Sequence, residues 1–133
     1  MKSILTVAGL FLSIGAAKDT PELKGDTFYG EVVDADSKAV LSHKPWFIDF
    51  YSPWCKHCKQ LAPTWDELYE KHEGSLNVAK VDCSKFANNE LCNQFDVRQL
   101  PTLVYLPAGT SEFHRYDGGG AARALEDLEE FAL

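Results

Sequence analysis

Trp46-Phe47-Ile48-Asp49-Phe50-Tyr51-Ser52-Pro53-Trp54-Cys55-Lys56-His57-Cys58-Lys59 is the stretch from which the rest of the chain can be read. Its first six residues form a nearly continuous apolar run, as expected of a strand buried on both faces. Ser52-Pro53 marks a turn. A helical pattern then runs from about Lys56 to His72, with Leu61, Trp65, Leu68 and Tyr69 on one face. Two cysteines three apart therefore open a helix that follows a strand and a tight turn, the spacing a reversible disulfide needs. Backbone N–H groups in a first helical turn lack partners and the helix dipole is positive there, so a thiolate at Cys55 is stabilised. Lys56 and His57 add cationic character beside it. Cys55 is thus the candidate attacking sulfur, and Cys58, one turn further in, is placed to resolve a mixed disulfide formed on Cys55.

Other uses of a Cys-x-x-Cys pair fit less well. A structural zinc site commonly uses two such pairs, and the remaining cysteines, Cys83 and Cys92, are too widely spaced to make a second. Covalent haem attachment needs histidine directly after the second cysteine, where this chain has Lys59. An inert structural disulfide stays open, although the basic, helix-opening context favours redox chemistry.

The N-terminus bears on compartment. Met1-Lys2-Ser3 carries one positive charge, Ile4 to Ile14 is apolar except for Thr6 and Ser13, and Gly15-Ala16-Ala17 supplies small residues. This reads as a secretory signal peptide over residues 1–17, cut after Ala17, leaving 18–133 as one domain with no membrane span in the mature chain. An uncleaved N-terminal anchor is the alternative. In an oxidising compartment four cysteines suggest two bridges: Cys55–Cys58, and Cys83–Cys92 as a structural disulfide. The second would close a ten-residue loop, worth roughly 2.7 kcal/mol in the chain-entropy treatment. A pair of ordinary buried thiols at Cys83 and Cys92 is the other reading. A formal net charge of −7, thickest in the last helix, argues against nucleic acid or an anionic membrane surface as partner.

Along the chain, Pro21 to Gly25 reads as a short strand and Thr27 to about Ala39 as a helix through Phe28, Val32 and Val33. Leu76–Asp82 is a strand, Phe86–Phe95 a short helix and Thr102–Leu106 a strand. A turn follows at Pro107-Ala108-Gly109-Thr110, then a strand over Glu112–Tyr116 and an amphipathic helix over Ala121–Leu133. The predicted order is β-α-β-α-β-α-β-β-α, an α/β class with a central mixed sheet flanked by helices on both faces. The cysteine motif falls at the carboxyl end of a central strand, where open α/β sheets place their sites.

Three blocks now carry a resemblance: Phe50-Tyr51-Ser52-Pro53-Trp54-Cys55-Lys56-His57-Cys58-Lys59-Gln60-Leu61-Ala62-Pro63-Thr64-Trp65, Ala79-Lys80-Val81-Asp82-Cys83, and Val97-Arg98-Gln99-Leu100-Pro101-Thr102-Leu103. From Leu23 to Phe131 the chain resembles the catalytic thioredoxin-like domain of the protein disulfide isomerases. The resemblance implies a thioredoxin-like fold and assigns roles by position. Cys55 matches the nucleophile and Cys58 the resolving cysteine. His57 matches the histidine that distinguishes isomerases from thioredoxins, which usually carry proline there, and it should make the disulfide more oxidising. The two classes differ by about 90 mV, or roughly 4 kcal/mol. Asp49 matches a buried acid that relays the proton of Cys58, and Lys80 matches its lysine partner on the adjacent strand. Pro101 matches the family's cis-proline, so that Trp54, Leu100 and Pro101 would contact substrate, the backbone before Pro101 pairing with an extended polypeptide. Arg123 matches an arginine that swings toward the resolving cysteine.

The chain departs from the pattern at Asp49, where most isomerases have glutamate and thioredoxins aspartate. It also departs at Lys56, which replaces a usual glycine, and at Gln99-Leu100, which replaces a common Gly-Tyr. His43, His72 and His114 read as solvated. The expectation is a thiol–disulfide oxidoreductase and protein disulfide isomerase, needing no metal or organic cofactor, that acts on cysteine-containing folding polypeptides. Glutathione or another dithiol/disulfide donor would be its redox partner. The rivals are a secreted thioredoxin-type reductase and a non-catalytic module that holds unfolded chains. The expected location is the secretory pathway, in the endoplasmic reticulum lumen. The chain ends without a Lys-Asp-Glu-Leu type signal, which leaves secretion, retention by a partner or a longer parent chain open.

Overall fold

Alternation along Trp46–Tyr51 sets the two-sided architecture. The computed structural model describes residues 19–117 and 124–133, and in it this segment is strand β1. Successive side chains of a strand point to opposite faces, so Phe47 enters one core and Ile48 and Phe50 the other. The first core packs Phe47 against Leu61, Trp65 and Leu68 of helix α2 (Lys56–His72) and Leu128 of helix α4 (Leu125–Ala132). The second packs Ile48 and Phe50 against Phe28, Val32, Leu91 and Phe95. These come from helix α1 (Gly25–Glu31), helix α3 (Asn89–Gln94) and the segments that follow them. Strands β2 (Asn77–Asp82), β3 (Thr102–Leu106) and β4 (His114–Arg115) complete a sheet in the order β2-β1-β3-β4. β2 is parallel to β1, whereas β3 is antiparallel to it and β4 to β3. The mixed sheet with helices on both faces is the expected class.

The helix α2 binds its sheet through a polar contact as well as apolar area. Trp65, almost wholly buried, donates its indole N–H to the Ala79 carbonyl at 3.0 Å, which satisfies the one polar atom that so large a side chain brings inside. Its ring meets Phe47 edge-on at 4.8 Å between centroids.

Three expected elements are different. The strand over Pro21–Gly25 shrinks to a bridge in which Glu22 pairs with Lys80, the Leu23 N–H donating to the Lys80 carbonyl and the Lys80 N–H to that of Pro21. The helix over Thr27–Ala39 ends at Glu31 and is already broken by an extended Tyr29 and a Gly30 at φ 104°. Beyond it, Asp34 accepts from the N–H groups of Asp36 and Ser37, an aspartate turn that diverts the backbone from helix. Val33 instead bridges Tyr29 and Val40. The strand over Glu112–Tyr116 is limited to His114–Arg115, because only Val104 and Tyr105 of β3 pair with it. The final helix is described from Leu125. The signal peptide reading at 1–17 and the candidate Arg123 lie outside the described residues. Among the described residues no helix is long and apolar enough to cross a membrane.

Candidate active site

At the end of β1 the chain must reverse from sheet to helix within a few residues, and Ser52 builds that turn. Its carbonyl accepts from the Cys55 N–H at 3.3 Å and its hydroxyl oxygen from the Trp54 N–H at 3.3 Å. Cys55 is the N-cap of α2, in extended conformation, with its sulfur accepting from the Cys58 N–H at 3.2 Å. The Cys55 carbonyl takes the first intrahelical bond, from the Lys59 N–H at 3.0 Å. The sulfur thus occupies the place an N-cap side-chain oxygen ordinarily fills, aimed by an otherwise unpaired N–H into the positive end of the helix dipole. On its other side the Cys55 thiol donates to the Leu100 carbonyl at 3.5 Å. Leu100–Pro101 is a cis peptide, and β3 begins directly after it.

The two sulfurs differ in access. Both are unbridged thiols, Cys55 partly exposed and Cys58 only 4% exposed. Burial first, then the hydrogen bond with Cys55 and, after these, the charges of Cys55 and Asp49 push the Cys58 thiol up to about 12, against a backbone hydrogen bond at Ser52 that outweighs either charge. An accessible sulfur at a helix start with a protonated thiol behind it is an arrangement that can exchange disulfides.

The other candidates fall around this pair. Asp49 is 4% exposed and, by strand alternation, lies on the α2 side of β1 with Phe47, where its charge acts on Cys58. Lys80 is its cross-strand partner in β2, and the Lys80 ammonium stands over the Tyr51 ring, 5.4 Å from the centroid. Burial first, and then the Glu22 carboxylate that accepts its proton at 2.8 Å, hold the Tyr51 phenol well above its ordinary value. Lys56 and His57 are exposed on the first turn of α2, and Trp54 is 76% exposed beside them. Cys83 and Cys92 are joined, with S–S 2.06 Å and Cα atoms 6.1 Å apart, tying the residue after β2 to α3.

Sequence reasoning missed Ser52 and the carbonyl of Leu100. Ser-Pro before a cysteine motif signals a turn, but nothing in the residue types showed which backbone groups would face the sulfur. His72 was expected to be solvated; it instead hydrogen-bonds Glu129 of α4, which also pairs with Lys71 at 2.9 Å. Fifty-seven residues separate that pair, so no local pattern reveals it. His114 lies 3.8 Å from Glu112.

Comparison with known proteins gives this geometry a family. The Thioredoxin family profile matches residues 22–131, and the chain belongs to the thioredoxin family. It is 50% identical over 105 residues to protein disulfide-isomerase 1 of Caenorhabditis elegans, an alignment spanning 77% of this chain and 19% of that protein. It is 37% identical over 120 residues to protein disulfide-isomerase A6 of Mesocricetus auratus, spanning 87% of this chain and 24% of the relative. Among solved structures, the J-Trx1 fragment of ERdj5 superposes with a TM-score of 0.67 at 30% identity, over 86% of this chain and 49% of that one. The chain spans only a fifth to a quarter of the length of those two isomerases.

Proposed function

We propose that this thioredoxin-family domain is a thiol–disulfide oxidoreductase of the protein disulfide isomerase type, working on cysteines of polypeptides that fold in the secretory pathway. The observation that supports it most is the asymmetry of the dithiol: Cys55 accessible at the helix start, Cys58 buried and protonated behind it. In this reading the Cys55 thiolate attacks a substrate disulfide. A Cys55–substrate bond forms, the substrate S–S bond breaks, and the electron pair leaves on the departing substrate sulfur, which takes up a proton. Cys58 then loses its proton to Asp49 and attacks the Cys55 sulfur. The internal Cys55–Cys58 bond forms, the second substrate thiol leaves, and substrate has gained the two electrons the domain has lost.

Run in reverse, the same steps oxidise a substrate dithiol, with glutathione disulfide or another disulfide donor restoring the site. Isomerisation needs no net electron transfer. It needs only that the mixed disulfide on Cys55 lasts while a second substrate thiol attacks within the substrate. The burial of Cys58 favours that, because a desolvated thiol gives up slowly the proton it must lose before it can resolve.

The remaining residues have supporting roles in this proposal. His57 and Lys56 favour the thiolate, and Lys80 tunes the field around Asp49 from the neighbouring strand. Trp54 and the backbone at Leu100–Pro101 receive the substrate chain, and the Cys83–Cys92 bridge is structural. The names of the aligned relatives and the N-terminal signal reading support the endoplasmic reticulum as the place of action. The thioredoxin-type acid at Asp49 favours a second reading, a reductase. Trapping with a scrambled-disulfide protein tests the mechanism. Cys58→Ser is expected to accumulate mixed disulfides at Cys55, and Cys55→Ser none. Ordinary turnover by Cys55→Ser would overturn the proposal.

A further inference from the structure

Beside the reacting sulfur lies a cavity that the chemistry above does not use. Its volume is about 420 Å³, and its walls are the Cys83–Cys92 bridge, Asn89 and Asn93 of α3, and Val97, Arg98 and Leu100 of the following loop. Asn89, Cys92 and Asn93 stand at helical spacing of three and four, so one face of the short α3 presents two amides around a sulfur. Leu100 joins this cavity to the site. It forms part of the wall, and its carbonyl accepts the Cys55 thiol at 3.5 Å. The cavity and the attacking sulfur therefore share Leu100 as a common wall. An extended polypeptide advances about 3.3 Å per residue, so a chain whose cysteine is on Cys55 can place a side chain one to three positions away inside it.

The lining has a definite polarity. Among the described residues that form it, Arg98 is the charged one and none is acidic. Arg98 is 83% exposed on its side chain and is steadied by a bond from Nε to Asp96 Oδ1 at 2.8 Å. That carboxylate does not cancel the local charge. Arg115 stands near the same carboxylate, its Nη2 donating to the main-chain carbonyls of Phe95 and Asp96 at 2.9 and 3.3 Å. Both arginines, Arg98 foremost, hold the Asp96 carboxyl below the usual carboxylate range. Of these groups Arg98 is the one that lines the amide-bearing cavity, with Asp96 and Arg115 behind it. A guanidinium carries five donors, so its planar head can meet a second acceptor while Nε stays with Asp96. An ammonium offered by a substrate would meet the Arg98 guanidinium and, among the lining residues, no carboxylate.

We infer that this cavity is a substrate subsite that selects polypeptides bearing a glutamate or aspartate within three residues of the reacting cysteine, with Arg98 as the specificity-determining residue. The inference rests on the oxidoreductase reading and adds a substrate class to it.

The test is a set of disulfide-bonded peptides carrying Glu, Gln or Lys at each position from three before to three after the cysteine. The kcat/KM of each is measured at low and high salt with the wild-type chain, Arg98→Gln and Arg98→Glu. At one or more positions Glu is expected to exceed Lys by about fivefold at low salt, the scale of one exposed charge pair, and to lose that lead as salt rises. Arg98→Gln is expected to flatten the preference and Arg98→Glu to turn it toward Lys. Equal rates for Glu and Lys peptides in the wild type would overturn the subsite while leaving the oxidoreductase reading standing. A Glu preference kept in full by Arg98→Gln would overturn it too, assigning the selectivity to Lys56, His57 and Lys59. Turnover of no peptide by the wild type would overturn the oxidoreductase reading itself, and the subsite with it.

Discussion

Cys58 shows how much one residue's surroundings decide. It has the same side chain as Cys55 three positions earlier, yet it sits under the first turn of α2 with Asp49 as a charged neighbour. With the reduced protein at pH 7, iodoacetamide should therefore label Cys55 and spare Cys58, as read by mass spectrometry of the tryptic peptides; equal labelling would contradict the burial account. The same environment sets a pH dependence of stability. An unfolded thiol titrates near 8.5, whereas folded Cys58 does so at about 12. Between those values the native state keeps a proton that the unfolded state has lost, so stability falls as pH rises through that window. Denaturant midpoints of the reduced protein should drop more steeply between pH 9 and 11 than those of Cys58→Ala, and parallel curves would refute the shift. The spacing of Cys55 and Cys58 was legible at once because it is local. The contacts of His72 with Glu129 and of Cys55 with the Leu100 carbonyl were not, because the partners come from distant segments.

At the scale of elements, β1, β2, β3 and α2 lie within a residue or so of where periodicity puts them. Each is a sustained apolar pattern bounded by a turn signal. The first helix was misread because Phe28, Val32 and Val33 sit at helical spacing although Gly30 and the Asp34 turn break the backbone between and after them. All three are buried, but from helix, turn and bridge in succession. The start of that helix is held tightly. The Gly25 N–H donates to Asn88 Oδ1 at 2.8 Å, and a methyl group at Gly25 would come within 2.6 Å of the Ala87 carbonyl oxygen. Because the obstructing atom is backbone, Gly25→Ala should cost about 1–3 kcal/mol, read from urea unfolding at unchanged m-value. A neutral result would mean that the contact between α1 and the turn before α3 gives way freely.

For the molecule as a whole, the strand order β2-β1-β3-β4 is what places Cys55 opposite Leu100. Both neighbours of β1 are needed: β2 presents Lys80 across from Asp49 and β3 starts directly after the cis-proline. Periodicity alone does not give that order; the resemblance to a known family supplied only that Lys80 lies on the strand beside Asp49. The Cys83–Cys92 bridge acts at this scale as well, since it joins the end of β2, an outer strand of the sheet, to a helix on the second core. Replacing both cysteines by serine should lower unfolding free energy by about 2–3 kcal/mol, the loop-closure contribution for a ring of this size. A loss within error of zero would show that the unfolded chain gains nothing from release. The central claim is that Cys55 and Cys58 form a reversible disulfide poised for isomerase work, and one titration bears on it most directly. The protein would be equilibrated across glutathione buffers, and the state of each cysteine mapped by mass spectrometry. A Cys55–Cys58 midpoint near about −180 mV is the predicted result. A midpoint near the thioredoxin value of about −270 mV, or a pair that never joins, would contradict the account.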